Sequence, residues 1–199
     1  EGIFASRIIG ITAGQIVLDF IGSNNVEVSE IYIGTNGAVV CQAGILLARS
    51  TTSQNCNGGR FTNVSIEGDF SIAPLVSIAS ESNVLIGCRF ANTRAAANYT
   101  CFYTNSHNDI GVVSANGTLF ASSNTDNAAY KCTFYAPFNN ASVCVFQRTA
   151  GWDFYSPLVI VGTSTGGKLA HYKIGPSLTR FNGPVNWNNP LFEGSEPFV

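Results

Sequence analysis

One alternating segment returns three times in the chain and constrains its fold more than any other feature. It reads Asn63-Val-Ser-Ile-Glu-Gly-Asp-Phe70, then Asn83-Val-Leu-Ile-Gly-Cys-Arg-Phe90, then Asn127-Ala-Ala-Tyr-Lys-Cys-Thr-Phe134. A strand this short cannot bury its own apolar face, but stacked on its successor it builds a continuous core. The third copy starts 44 residues after the second, which reads as two intervals of 22. The expectation is an all-β solenoid of about 20–24 residues per coil, its rungs about 4.8 Å apart. Stacking the first two copies in phase sets Val64 on Val84, Ile66 on Ile86, Gly68 on Cys88 and Phe70 on Phe90. On the opposite face Asp69 then meets Arg89 as an ion pair between rungs.

Period-two alternation runs from Val26 to Phe134, punctuated by Asn, Gly and Ser, the usual turn residues. Further strand candidates are Leu75–Ile78, Thr100–Tyr103, Thr118–Phe120 and Val143–Phe146. Helical periodicity is missing, with one turn at most over 94–98, and this excludes alternating strand–helix units. Residues 34–58 interrupt the rhythm, with Ser50–Gly59 reading as an excursion from one rung, and Ser114–Asn127 is a second candidate. Past residue 150 the pattern changes, and five of the seven prolines fall from Pro157 onward. The expected organisation is a lead-in over 1–22, a solenoid over 23–165, and a C-terminal cap or inter-subunit segment over 166–199.

Charged residues make up 11% of the chain, against about 25% in ordinary globular proteins. The net charge of −2, with no basic stripe, argues against a nucleic-acid surface. No apolar run approaches the roughly 20 residues that cross a bilayer. The chain lacks Met and opens Glu1-Gly2-Ile3-Phe4, as a processed product or a piece of a larger protein would. Its six cysteines show no CxxC or His-rich spacing, so no metal is expected. Cys88 and Cys132 share one repeat position, where a buried reduced thiol acts as a small hydrophobe. Reduced core thiols favour assembly in a reducing cytoplasm. The sequons at Asn63, Asn98, Asn116 and Asn140 are no more than this Asn-, Ser- and Thr-rich composition produces by chance.

The copy Ser82-Asn-Val-Leu-Ile-Gly-Cys-Arg-Phe90 resembles a rung of the pectin-lyase-like right-handed parallel β-helix, over roughly residues 23–165. In that family turn asparagines stack from coil to coil. Scarce charge and reduced thiols are closest to bacteriophage tailspikes and related virion appendages. The resemblance implies a homotrimer that contacts host surface polysaccharide and other virion proteins. It also implies a virion component assembled in the host cytoplasm, a secreted or cell-surface protein being the alternative. Lyases of this superfamily carry clustered acidic calcium ligands with a nearby Arg base. This chain has no Asp-x-Asp or Asp-Asp, so no catalytic residue carries over.

Glycoside hydrolysis needs two carboxyl groups, about 5–5.5 Å apart for retention or 6.5–9.5 Å for inversion. Glu67 and Asp69 share an outward face, but Arg89 and Lys131 align with it, so a charge ladder competes with a site. Asp109 and Asp126 precede equivalent strands and read equally as turn residues. His107 and His171 are isolated. Trp152, Phe154, Tyr155, Tyr172 and Trp187 fall outside the repeat, and their rings could stack on sugars or pack a trimer interface or end cap. The expected role is attachment to a host surface glycan, without a cofactor. The alternatives are a glycan depolymerase, as hydrolase or lyase, and a ligand-free structural decoration.

Overall fold

A computed structural model describes residues 6–50, 54–94, 100–122, 124, 126–136, 144–147, 151–161, 172–174 and 185–193. Its strands come in threes. The first coil holds β1 (Ser6–Gly10), β2 (Ile16–Asp19) and β3 (Glu27–Ser29); the second holds β4 (Ile31–Thr35), β5 (Cys41–Ala48) and β6 (Arg60–Thr62). The third holds β7 (Ser65–Gly68), β8 (Phe70–Ile78) and β9 (Val84–Ile86). The fourth holds β10 (Arg89–Asn92), β11 (Phe102–Asn105) and β12 (Asn127–Tyr130). The fifth holds β13 (Thr133–Ala136), β14 (Cys144–Gln147) and β15 (Trp152–Tyr155). Then come β16 (Leu158–Val161), β17 (Tyr172–Ile174), β18 (Val185–Asn188) and a last strand, β19 (Leu191–Glu193).

Every third strand joins the same sheet, and every pairing is parallel. Sheet I runs β1-β4-β7-β10-β13-β16-β19, sheet II β2-β5-β8-β11-β14-β17, and sheet III β3-β6-β9-β12-β15-β18. Among the described residues the protein is all-β, with three parallel sheets of stacked strands, an arrangement compatible with a parallel β-helix. The stack extends beyond 23–165, because β1 and β2 precede that span and β17 to β19 follow it.

Register corrects the phase expected from the repeat. Ile66 lies opposite Phe90, 24 residues on, and Leu85 lies opposite Phe61. Phe70 pairs with Cys41 in sheet II while Phe90 lies in sheet I, so the two phenylalanines are both buried but do not stack. Val84 and Ile86 are half-buried, and Leu85 between them points inward. The second and third copies do stack, as Phe90 on Phe134 and Leu85 on Ala129, but across a single coil of 44 residues. Coil length therefore varies more widely than 20–24.

The phase error has a definite cause. Two backbone bends bracket sheet III in coil after coil, each placing one residue in the left-handed region. Before the strand stand Asn25, Gly58, Ser82, Asp126 and Gly151; after it stand Glu30, Asn63, Gly87, Lys131, Ser156 and Asn189. Asn63 belongs to the second set, as the counterpart of Gly87, whereas Asn83 follows the first bend. Asn suits both positions, tolerating positive φ and bonding nearby backbone. A pattern anchored on Asn thus aligned two different corners. The bend amides form their own column: those of Asn63, Gly87 and Lys131 each donate to a carbonyl of the next coil at 2.8 Å.

Inside, like side chains stack along the axis. Sheet I contributes Ile33, Ile66, Phe90, Phe134 and Val159; sheet III contributes Phe61, Leu85, Ala129 and Phe154, all in one core. Phe102 sits among Phe134, Phe146, Trp152 and Phe154, its ring 4.8 Å from that of Trp152 and edge-on to it. Aromatic pairs of this kind add about 0.5–1.5 kcal/mol beyond area burial. All six cysteines are buried and free. At the passage from sheet II to sheet III, buried asparagines form a ladder. Asn83 donates to Asn127 Oδ1 at 2.9 Å, Asn127 donates to Asn124 Oδ1 at 2.9 Å, and Asn83 Oδ1 accepts the Gly59 amide at 3.0 Å. Buried amides this well paired satisfy the hydrogen-bonding demand of the interior.

The outer face of sheet II is also buried. Leu46, Val76, Ile78 and Tyr103 form a second apolar cluster with Val112, and Leu119 packs against it. The last two belong to an excursion over residues 106–122, between β11 and β12. Side chains of earlier coils fasten it. Gln42 exchanges two hydrogen bonds with the Val113 backbone (3.0 and 3.2 Å), and Asp19 Oδ2 accepts the Ser114 hydroxyl at 2.5 Å. Arg49 donates to Ser122 Oγ at 2.6 Å, and its guanidinium lies 5.6 Å from the Phe120 ring.

Candidate functional site

Among the described residues, the outer face of sheet I carries a run of chemistry-bearing side chains open to solvent. Because Ile33, Ile66, Phe90 and Phe134 point inward, their strand neighbours point outward. Arg7, Tyr32, Ser65, Arg89 and Thr133 follow one another in register, and Glu67, Ala91 and Tyr135 form the next column. The Arg7 guanidinium lies 5.0 Å from the Tyr32 ring centre, and that of Arg89 lies 5.7 Å from Tyr135. Arg89 also forms an ion pair with Glu67. Asp69, the partner expected for Arg89, instead accepts the Thr93 hydroxyl at 3.0 Å. The expected ion pair between rungs exists, but its carboxylate sits two residues earlier, as the corrected register requires.

Gly34 makes this face possible. A β-carbon there would come within 2.7 Å of the Tyr32 ring and 3.0 Å of the Glu67 carbonyl. The ring thus lies across bare backbone, and its hydroxyl donates to Glu67 O at 3.3 Å. Burial, then the charge of Glu67, raises the phenol pKa above 10.0, with Arg7 and Arg89 pulling the other way. The face offers aromatic surface, guanidinium donors and one carboxylate on a hydrogen-bonded sheet that fixes their spacing.

The four candidate carboxylates have different partners and surroundings. Glu67 is committed to Arg89, and Asp69 sits at the corner between β7 and β8, tied to Thr93 and, through its amide, to Thr35 Oγ1. Asp109, exposed near the start of the excursion, accepts from Asn105 at 3.2 Å, and Asp126 occupies a left-handed bend. Among the described residues no group of three or more His, Cys, Asp or Glu could hold a metal. His171, Asn98 and Asn140 lie outside the described residues.

The late aromatic residues belong to the stack rather than standing outside it. Trp152 and Phe154 are fully buried in sheet III, and the Trp152 indole N–H donates to Asn124 Oδ1 at 3.3 Å. Trp187 is half-buried and stacks on Phe154 at 4.5 Å. Tyr172 is placed by its backbone alone, opposite Cys144. Tyr155 does reach solvent, stacked on Tyr130 at 4.7 Å and 6°. Their facing surfaces are occupied by each other, which leaves ring edges and hydroxyls for a ligand. Sequence reasoning missed Arg7, Tyr32 and Tyr135. The signal for Tyr32 was its flanking Ile31 and Ile33, whose alternation points the tyrosine outward.

Among the described residues no helix is long and apolar enough to cross a membrane. No protein family matches the chain, and no match was found among curated proteins or solved structures.

Proposed function

We propose that the protein is an attachment module that binds a surface glycan along the outer face of sheet I. One observation carries this reading: Arg7, Tyr32, Glu67, Arg89 and Tyr135 form a solvent-facing run of rings and charges on consecutive parallel strands. Rings offer apolar surface at low entropy cost, guanidinium groups offer forked donors, and a repeating sheet suits a repeating polymer. In this reading the chain is a right-handed, pectin-lyase-like β-helix, the hand that parallel crossovers take almost without exception. It associates as a homotrimer and serves as a tailspike-like virion appendage alongside other virion proteins. Six buried free thiols support assembly in a reducing host cytoplasm.

A polysaccharide array probed with the parent and with Tyr32→Ala and Tyr135→Ala tests the site. Loss of roughly tenfold or more in affinity for a bound glycan, about 1.4 kcal/mol, supports it. A blank array with the parent would leave a ligand-free structural role. Release of new sugar ends by the parent would replace attachment with depolymerisation. Light scattering addresses the trimer, and a monomer at micromolar concentration would count against it.

A further inference from the structure

We propose that Asn116 deamidates spontaneously and that the carboxylate formed loosens the 106–122 excursion from the outer face of sheet II. Glycine after asparagine leaves its own backbone nitrogen unhindered. That nitrogen attacks the Asn Cγ, the bond to the amide nitrogen breaks, and ammonia departs with the transferred proton. Water then opens the succinimide at either carbonyl, giving aspartate or isoaspartate. No oxidant or enzyme is needed.

Three Asn–Gly pairs fall within the described residues, and their surroundings differ. Asn57-Gly58 is locked to the third coil. The Asn57 side-chain oxygen accepts the Glu81 amide at 3.3 Å, and the attacking Gly58 nitrogen donates to the Glu81 carbonyl at 3.0 Å. Asn36-Gly37 and Asn116-Gly117 are exposed, and a β-carbon added at Gly37 would meet nothing within 4 Å. Gly117 has φ near 153°, a backbone conformation that side chains disfavour.

Consequence separates the two exposed pairs. Asn116 lines a cleft of about 240 Å³ together with Asp19, Gln42, Gln15 and Val113. Asp19 is the only ionisable side chain in that lining, and it holds Ser114 of the excursion. A carboxylate at position 116 would share the cleft with that of Asp19, and like charges there repel without a lining cation to offset them. The hydrogen bond to Ser114 and the Gln42 bridge to Val113 would weaken together.

Ageing the folded full chain at mildly alkaline pH, with peptide mapping over time, tests the first part. Asn116 and Asn36 should convert roughly tenfold or more faster than Asn57, whose reaction needs local opening. Conversion of Asn116 as slow as that of Asn57 would overturn the proposal. Hydrogen exchange on Asn116→Asp and Asn36→Asp tests the second part. Faster exchange of the Val113 and Phe120 amides in Asn116→Asp alone is the expected result. Parent-like protection in Asn116→Asp, or equal loss in both variants, would sink the loosening.

Discussion

Sheets I and II are both stacks of parallel strands, yet their outer faces have opposite fates. Beyond the core residues of sheet I lie Arg7, Tyr32, Glu67, Arg89 and Tyr135, in contact with water. Beyond those of sheet II lie Leu46, Val76, Ile78 and Tyr103, none more than 3% exposed. Strand geometry is indifferent to this choice. What decides it is a stretch of chain elsewhere: the 106–122 excursion returns over sheet II, while nothing described returns over sheet I. A β-strand apolar on both faces therefore signals a covering segment, and one apolar on a single face signals an open surface.

The sharpest way to break this comparison is to mutate sequence neighbours. On sheet II both should matter: Phe102→Ala should cost about 3–5 kcal/mol, and Tyr103→Ala, which removes a ring beneath the excursion, about 3 kcal/mol. On sheet I only the inward neighbour should matter, so Phe90→Ala is costly while Arg89→Ala loses less than about 1 kcal/mol. Urea unfolding would measure all four, and a Tyr103→Ala variant as stable as Arg89→Ala would contradict a buried outer face on sheet II.

Next in size is Asn127→Ala. It strips acceptors from the Asn83 amide and side chain and a donor from Asn124, all buried. A loss of about 2–3 kcal/mol is expected, whereas Asn63→Ala, at an exposed corner bonded to Glu30, should lose about 1 kcal/mol or less.

Alkaline pH should discriminate the sheets more gently. Burial pushes the Cys101 thiol up to about 12, and burial followed by the neighbouring Cys101 raises Cys144 well above 9.0. A raised pKa favours the protonated form in the folded chain, so this contribution is intact below pH 9. It is lost as pH climbs from there toward 12. Melting temperature should fall over that range, and Cys101→Ala should flatten the fall. Tyr32 on sheet I has the same sign, but solvent reaches its ring, so Tyr32→Phe should change the profile less. An unchanged profile in Cys101→Ala would show that other groups set it.

Much of the architecture was legible because alternation reports burial directly. Strand content and, among the described residues, the lack of helices followed from it, whereas the direct stacking of Phe90 on Phe134 did not, because the 44-residue interval reads as two coils. Coil phase was not legible. Asn63 and Asn83 satisfy the same local pattern for different reasons, one as a left-handed bend and the other as a buried donor to the Asn127 side chain. The excursion at 114–127 was visible as a break, but its destination was not, since only tertiary packing brings Val112 onto Val76. For the candidate site, Glu67 and Arg89 could be named in advance. Tyr32 and Tyr135 could not be joined to them until register was known. Trp152 misled because an aromatic residue outside a repeat looks surplus until the core around Phe102 is seen to need it.

The paired bends around sheet III have a consequence for how such a chain can change length. From sheet III to sheet I the connection is one or two residues in every coil, while from sheet II to sheet III it ranges from 4 to 21. One edge of the molecule behaves as a fixed spine, whose corner amides must fall in line. Growth falls at the other two corners, the connection from sheet I to sheet II itself ranging from 1 to 10 residues, and a whole segment such as 106–122 can be spliced in there without disturbing the coils above or below. A binding loop grafted between β8 and β9 should be accepted, and the same loop between β9 and β10 should prevent the stack from closing.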